Sequence, residues 1–253
     1  MSEEETEIRV NFGRPMPLFP LPSVALMPHA VLPLHIFEPR YRKMVADALD
    51  GPGQIAMAMY DLERMKGAGS RAEGRGEESE PERPPLRQAV CVGQVVQHHK
   101  LGDGRYTIAL HGVCRAKIIT ELPEESDVPY RQALLEPIGL DDGDPETMAA
   151  ARETLAGLLE AQPLAGLREA EAVGRHLRDD EIPATAVLEL VAVTLLRDSE
   201  MRFYNELHYQ LLAEGDPQRR ARMIEERLRE LSTLLTRALP QTTTDAPKGC
   251  HWN

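Results

Sequence analysis

The chain of 253 residues is 42% hydrophobic, enough to bury the core of one large domain or two smaller ones. Its 41 acidic against 29 basic side chains give a formal net charge of -12, which argues against general nucleic-acid binding, since a polyanion would meet the repulsion of the whole molecule. No apolar run approaches the roughly 18 to 20 residues that span a bilayer, no charged segment followed by an apolar one opens the chain, and Cys91, Cys114 and Cys250 are odd in number without CxxC spacing; a reduced, cytoplasmic protein is expected.

The opening MSEEETE is too acidic to pack, and residues 1–12 are read as a disordered acidic tail. PLFPLPSVALMPHAVLPLHIF follows, rich in Leu, Ile and Phe and interrupted by prolines. Proline removes a ladder donor, so short edge strands and extended segments are predicted here rather than central strands. Glu38-Pro39 then joins an acidic cap to the proline tolerated in a first turn, and Phe37, Tyr41, Met44, Val45 and Ala48 recur at helical spacing until Gly51. The stripe Phe37/Tyr41/Met44/Ala48 is expected to be buried, with Arg40, Lys43 and Asp47 outward and Arg42 and Leu49 near the edge.

IAMAMYD, AVCVGQVVQHH and RYTIALHGVCRAKIIT read as strands, being short and rich in residues suited to a pleated surface. Between the first and second, residues 64–85 hold Gly, Pro, Glu and Arg with almost nothing apolar, and a mobile loop is expected. The last two strands flank Leu101-Gly102-Asp103-Gly104, a hairpin turn, and in the second of them Tyr106, Ile108 and Leu110 should face the core.

From about residue 141 the pattern becomes helical. Asp144-Pro145 is a cap and first-turn proline ahead of Met148, Leu155 and Leu159; Pro183 opens a stretch through Val187, Leu190, Val191, Thr194 and Leu195. A further helix is expected from Ser199 to Glu214, and a last one from Asp216-Pro217 with the stripe Ile224, Leu228, Leu231 and Leu235, stopping at Pro240. Residues 141–240 are thus predicted to form an antiparallel helical bundle, and 241–253 a disordered tail that holds Cys250-His251.

The common catalytic signatures are missing. None of Lys43, Lys66, Lys100, Lys117 and Lys248 precedes Ser or Thr, which excludes a P-loop, where backbone amides cradle phosphates and a hydroxyl holds magnesium. There is no Gly-x-Ser-x-Gly elbow, no His-Glu-x-x-His and no Gly-x-Gly-x-x-Gly between a strand and a helix. His98, His99 and His111 lie on the hairpin, but its expected register does not set His98 opposite His111, and no acid or thiol completes a metal set. Cys91 and Cys114 are read as small buried hydrophobes. No catalytic residue, metal or cofactor is therefore assigned.

The stretch PLFPLPSVALMPHAVLPLHIFEPRYRKMV resembles the opening of the Lon amino-terminal, or substrate-binding, domain. CVGQVVQHHKLGDGRYTIALHGVCRAKI resembles that family's second half, and LLAEGDPQRRARMIEERLREL its helical segment. The resemblance implies an α+β fold: a PUA-like, β-rich domain over residues 13–140, its twisted sheets forming a pseudo-barrel, followed by the helical bundle. Neither a Walker lysine nor a Ser-Lys protease motif is present, and the chain resembles the stand-alone members of the family.

A non-catalytic protein that binds exposed apolar or extended polypeptide, or that serves as an adaptor in proteolysis or protein quality control, is the leading expectation. Its partners would be polypeptide substrates or a protein such as an ATP-dependent protease, with the chain a monomer or weak dimer. A peptide could add to a free strand edge. Phe19, Phe37, Tyr41 and Tyr106 are candidates for the pockets, and Glu38, Arg40 and Arg105 for setting polarity. Each has a purely structural reading beside this: the aromatics fall where core packing is expected, Glu38 can serve as a cap and Arg40 can pair with an acid. RNA binding is the alternative, with Arg105-Tyr106 as a stacking platform, as is regulation of a separate ATP-dependent protease.

Overall fold

Alternation along the first part of the chain builds six strands, which join in one sheet. In this computed structural model, which describes residues 8–69, 83–123, 126–196 and 201–237, they are β1 (Met16–Leu21), β2 (Val31–Ile36), β3 (Gln54–Met59), β4 (Ala89–Lys100), β5 (Tyr106–Glu121) and β6 (Gln132–Pro137). The order is β2-β5-β4-β3-β1-β6, and β5 pairs with β6 as well, so β5, β4, β3, β1 and β6 close into a ring while β2 flanks it. The length of β5 makes this possible: Tyr106–His111 pairs with β2, and Ala116–Glu121 with β6.

Side-chain size suits the ring. Its interior is filled by Met16, Leu18, Ala56, Ala58, Val90, Val92, Ala116, Ala133 and Leu135, and the four alanines let the strands approach closely. The alternate residues, among them Phe19, Ile55, Met57 and Cys91, face outward into the larger core shared with the helices. Val10 and Phe12, assigned to the tail on sequence, pack against the ring interior.

β1 overturns the expectation that proline keeps this region at the edge, since it lies between β3 and β6. The two prolines fall where one neighbour is missing. Pro17 precedes the pairing with β3, which begins at Leu18, and Pro20 follows the contact with β6, which ends where the Leu18 amide donates to the Arg131 carbonyl. In β2 the expectation holds: among the described residues the strand that carries Pro33 pairs with β5 alone.

In the hairpin, Tyr106, Ile108 and Leu110 are buried as predicted. Gly93 and Gly112 stand opposite each other where the incoming chain crosses the sheet. A Cβ on Gly112 would lie 2.1 Å from the Met27 carbonyl oxygen. His29, with φ 63, forms the bulge from which β2 starts: its amide donates to the Gly112 carbonyl, and the Gly112 amide to the Ala30 carbonyl.

Helix α1 (Pro39–Leu49) buries Tyr41, Met44, Val45 and Ala48, as its spacing requires. Two details depart from expectation. Phe37 precedes the helix and is 61% exposed rather than part of the buried stripe. Glu38 occupies the N-cap position without a capping hydrogen bond, and its carboxylate pairs with Arg40 at 2.8 Å instead. The expected loop begins as a helix, α2 (Leu62–Gly69), and residues 70–82 lie outside the described residues.

The remaining helices are α3 (Pro145–Glu160), α4 (Arg168–Leu177), α5 (Ala184–Leu195), α6 (Met201–Ala213) and α7 (Pro217–Arg237). Asp144 caps α3 by accepting the Thr147 amide at 2.9 Å. The sequence reading places no helix at α4, although Ala170, Val173 and Leu177, which it buries, recur at helical spacing among its charges. Arg152 of α3 holds its end, donating to the carbonyls of Leu177, Asp179 and Ile182 at 2.9, 2.7 and 2.8 Å. The predicted stop at Pro240 and the tail beyond it lie outside the described residues.

Two seams join helices to sheet. Arg87, just before β4, lies 3.4 Å over the Tyr209 ring of α6 and donates twice to Glu206, while the Tyr209 hydroxyl accepts the Ala89 amide at 3.1 Å. Deeper, Glu189 of α5 meets Arg115 of β5 and Arg220 of α7, all three buried.

Candidate functional site

The bulge at His29 fixes which way the backbone of β2 faces. Because Ala30 accepts from Gly112, the amides and carbonyls of Leu32, Leu34 and Ile36 turn toward β5, and those of Val31, Pro33 and His35 turn outward. Pro33 therefore costs the ladder nothing. Among the described residues no strand pairs with that outer edge. The side chains of Val31, Pro33 and His35 are also exposed, Val31 at 57%. They share one face of a three-stranded ribbon with Thr107, Ala109 and His111 of β5.

At the end of this ribbon several polar groups meet. Phe37 stacks on His35 with ring centroids 6.4 Å apart and planes at 25°. Arg105 Nη1 lies 3.3 Å from His35 Nε2, and Arg105 Nε donates to Asp103 at 2.6 Å. The Arg105 amide and then its side chain hold the Asp103 carboxyl below the usual carboxylate range. Arg42 of α1 reaches across to the Asp103 carbonyl at 3.2 Å.

Of the residues proposed from sequence, Phe37, Glu38, Arg40 and Arg105 are on the surface at this end. Phe19, Tyr41 and Tyr106 are core residues, 6%, 5% and 6% exposed. Phe19 and Tyr41 meet edge to face at 4.7 Å, and Arg40 lies 4.5 Å over the Tyr41 ring, so these two aromatics support the surface from beneath. The sequence reading does not single out Val31 and His35, although the alternation of Val31, Pro33 and His35 with Leu32, Leu34 and Ile36 carries the signal, and it places Arg42 near the edge of the helix without a role at the site.

Clefts lie elsewhere among the described residues. One of about 520 Å³ runs along the Arg87–Tyr209 seam, lined by Asp61, Arg64, Leu86, Gln88, Ile118 and Glu121. In it Arg87 pairs with Glu206, Glu121 accepts from Arg131, and Asp61 accepts from the Arg64 amide. Another, about 350 Å³, lies between the starts of α3 and α5, with an apolar floor at Met148 and Ala149. Neither brings a nucleophile to a base. Among the described residues no group of three or more His, Cys, Asp or Glu could hold a metal, and His98 and His99 are exposed, with His98 opposite Ile108. Burial pushes the Cys114 thiol up to about 11 and Cys91 higher still, so neither supplies a thiolate at neutral pH.

The family model for the substrate-binding domain of ATP-dependent protease La (Lon) matches residues 15–230, from the start of β1 into α7. The chain belongs to this family. Within the Lon family, a Lon protease from Anaeromyxobacter dehalogenans is 27% identical over 145 residues, 56% of this chain but 15% of that protein, so the chain spans a small part of that relative. A Lon N-terminal domain protein from Xanthomonas campestris has a similar structure, with a TM-score of 0.51, 20% identity and coverage of 90% of this chain and 99% of that one. The N terminal domain of a Mycobacterium avium complex Lon protease gives a TM-score of 0.57 at 14% identity, covering 86% and 99%. At these identities the likeness establishes the α+β fold of the Lon amino-terminal domain. Among the described residues no helix is long and apolar enough to cross a membrane.

Proposed function

We propose that this Lon substrate-binding-domain chain is a non-catalytic protein that takes extended, partly apolar segments of polypeptide along the outer edge of β2, as an adaptor in proteolysis or quality control. The observation that carries this reading is the unpaired edge of β2 beside the exposed Phe37. An added strand would accept from the amides of Val31 and His35 and donate to the carbonyls of Val31, Pro33 and His35. Each such bond contributes about 0.5–1.5 kcal/mol net, so the main chain alone gives weak binding and side chains must supply the rest. Phe37 and Val31 offer the apolar contact, and Arg105 with the Glu38–Arg40 pair gives the end of the edge its polarity. Membership in a family named for substrate binding supports this reading, as does the lack of a convergent catalytic set among the described residues.

The test is a titration with one labelled polypeptide in its unfolded state and the same polypeptide folded. The unfolded form should bind and the folded form should not. Equal, negligible binding of both would remove the proposal.

A further inference from the structure

Pro33 stands in the middle of the open edge. β2 turns outward the amides of Val31 and His35 and the carbonyls of Val31, Pro33 and His35, so the position without a donor lies between two that have one. In an extended strand Val31 and His35 are about 13 Å apart. A ladder bond brings its acceptor to about 2.9 Å from the nitrogen, and in proline the ring fills that space. A strand that pairs with both Val31 and His35 in continuous register, in either direction, therefore brings a carbonyl against the Pro33 ring. The prolines of β1 avoid this, since Pro17 and Pro20 fall outside the pairing on the side that would need their amides. Pro33, exposed and inside the span a ligand on this edge would cover, does not.

We propose that Pro33 makes this edge select mobile extended polypeptide over strands already held in a sheet. This rests on the edge-strand reading above and names the residue that sets the class of ligand. A mobile chain passes the ring by a bulge, one extra residue that carries its carbonyl aside while the segments on either side keep their bonds to Val31 and His35. A strand fixed in its own sheet reaches that arrangement only by breaking bonds of its own ladder, which leaves backbone groups without partners. Without the ring the order reverses. A preformed strand then loses less conformational entropy on binding than a mobile chain and is the better ligand.

The experiment uses the full chain, unaltered and as Pro33→Ala, with two labelled peptides of one apolar sequence. One is linear, and the other is closed by a disulfide into a β-hairpin that presents the same sequence at its edge. The unaltered chain should bind the linear peptide about fivefold more tightly than the hairpin, the worth of one hydrogen bond. Pro33→Ala restores the outward amide and should bind the hairpin at least as tightly as the linear peptide. The nitrogen of Pro33 faces away from β5, so the variant should fold, and its unfolding midpoint checks this. Should it not fold, the preference of the unaltered chain decides the matter. Equal binding of the two peptides by the unaltered chain, a preference for the hairpin, or a linear preference that survives in folded Pro33→Ala overturns the role of Pro33 while leaving the edge reading intact. Failure of both proteins to bind either peptide overturns both.

Discussion

Arg115 of β5 donates from Nη2 to Glu189 Oε1 of α5 at 2.5 Å, with both side chains 5% exposed. Arg220 of α7 approaches the same oxygen at 3.5 Å, and its Nη1 donates to the Glu214 and Gly215 carbonyls at 2.9 Å. Burial, and then the charge of Arg115, pull the Arg220 guanidinium down from its ordinary value. One carboxylate thus holds two buried cations at the joint of sheet and helices. Glu189→Ala should cost about 3–5 kcal/mol, because it leaves both charges uncompensated. Urea unfolding of the variant measures this, and a loss below ~1 kcal/mol would mean that water reaches the site.

The second seam should respond to acid. The Arg87 hydrogen bond, against an opposing effect of burial, holds the Glu206 carboxyl below its ordinary value of 4.5. A carboxyl lowered in the folded state stabilises the fold fully above the unfolded value, and that contribution is lost as pH falls through the folded one. The unfolding midpoint should therefore drop below pH 4.5, and less steeply in Glu206→Gln than in the unaltered chain. Parallel acid limbs would place the titration elsewhere.

Gly112 is required by close approach. With a Cβ 2.1 Å from the Met27 carbonyl oxygen, Gly112→Ala must displace backbone rather than a flexible side chain. A destabilisation at or beyond the upper end of the ~1–3 kcal/mol typical of overpacking is expected, measured by chemical denaturation. Because the same crossing sets the start of β2, the folded fraction of this variant should also bind peptide more weakly.

Phe37 and Tyr41 should separate binding from stability. Tyr41 is 5% exposed and packs on Phe19, so Tyr41→Ala should cost about 3–5 kcal/mol. Phe37 is 61% exposed, and Phe37→Ala should leave stability within about 0.5 kcal/mol while weakening capture of unfolded polypeptide. The reverse pattern, with Phe37 important for folding and indifferent to ligand, would remove it from the site.

What could be read in the sequence followed from local periodicity. The helix stripes of α1, α3, α5 and α7 and the hairpin of β4 and β5 are legible because each rests on residues a few positions apart. The central place of β1 is not, since proline argues against it and only the staggered ends of β3 and β6 make it possible. The candidate site divides the same way. Phe37 looks like part of the Tyr41 stripe by spacing, but it lies ahead of the first helical turn, so the rotation of the helix never carries it inward. The outward turn of Val31 and His35 depends on a bulge between residues some 80 positions apart, His29 and Gly112, which no local pattern reveals.

Amide hydrogen exchange of β2 with and without an unfolded polypeptide reads out which backbone groups a bound segment covers. The Val31 and His35 amides, turned outward, should become protected on binding, while those of Leu32 and Leu34, already paired with β5, should change little. Saturating polypeptide that leaves Val31 and His35 exchanging at their original rates would contradict capture along this edge.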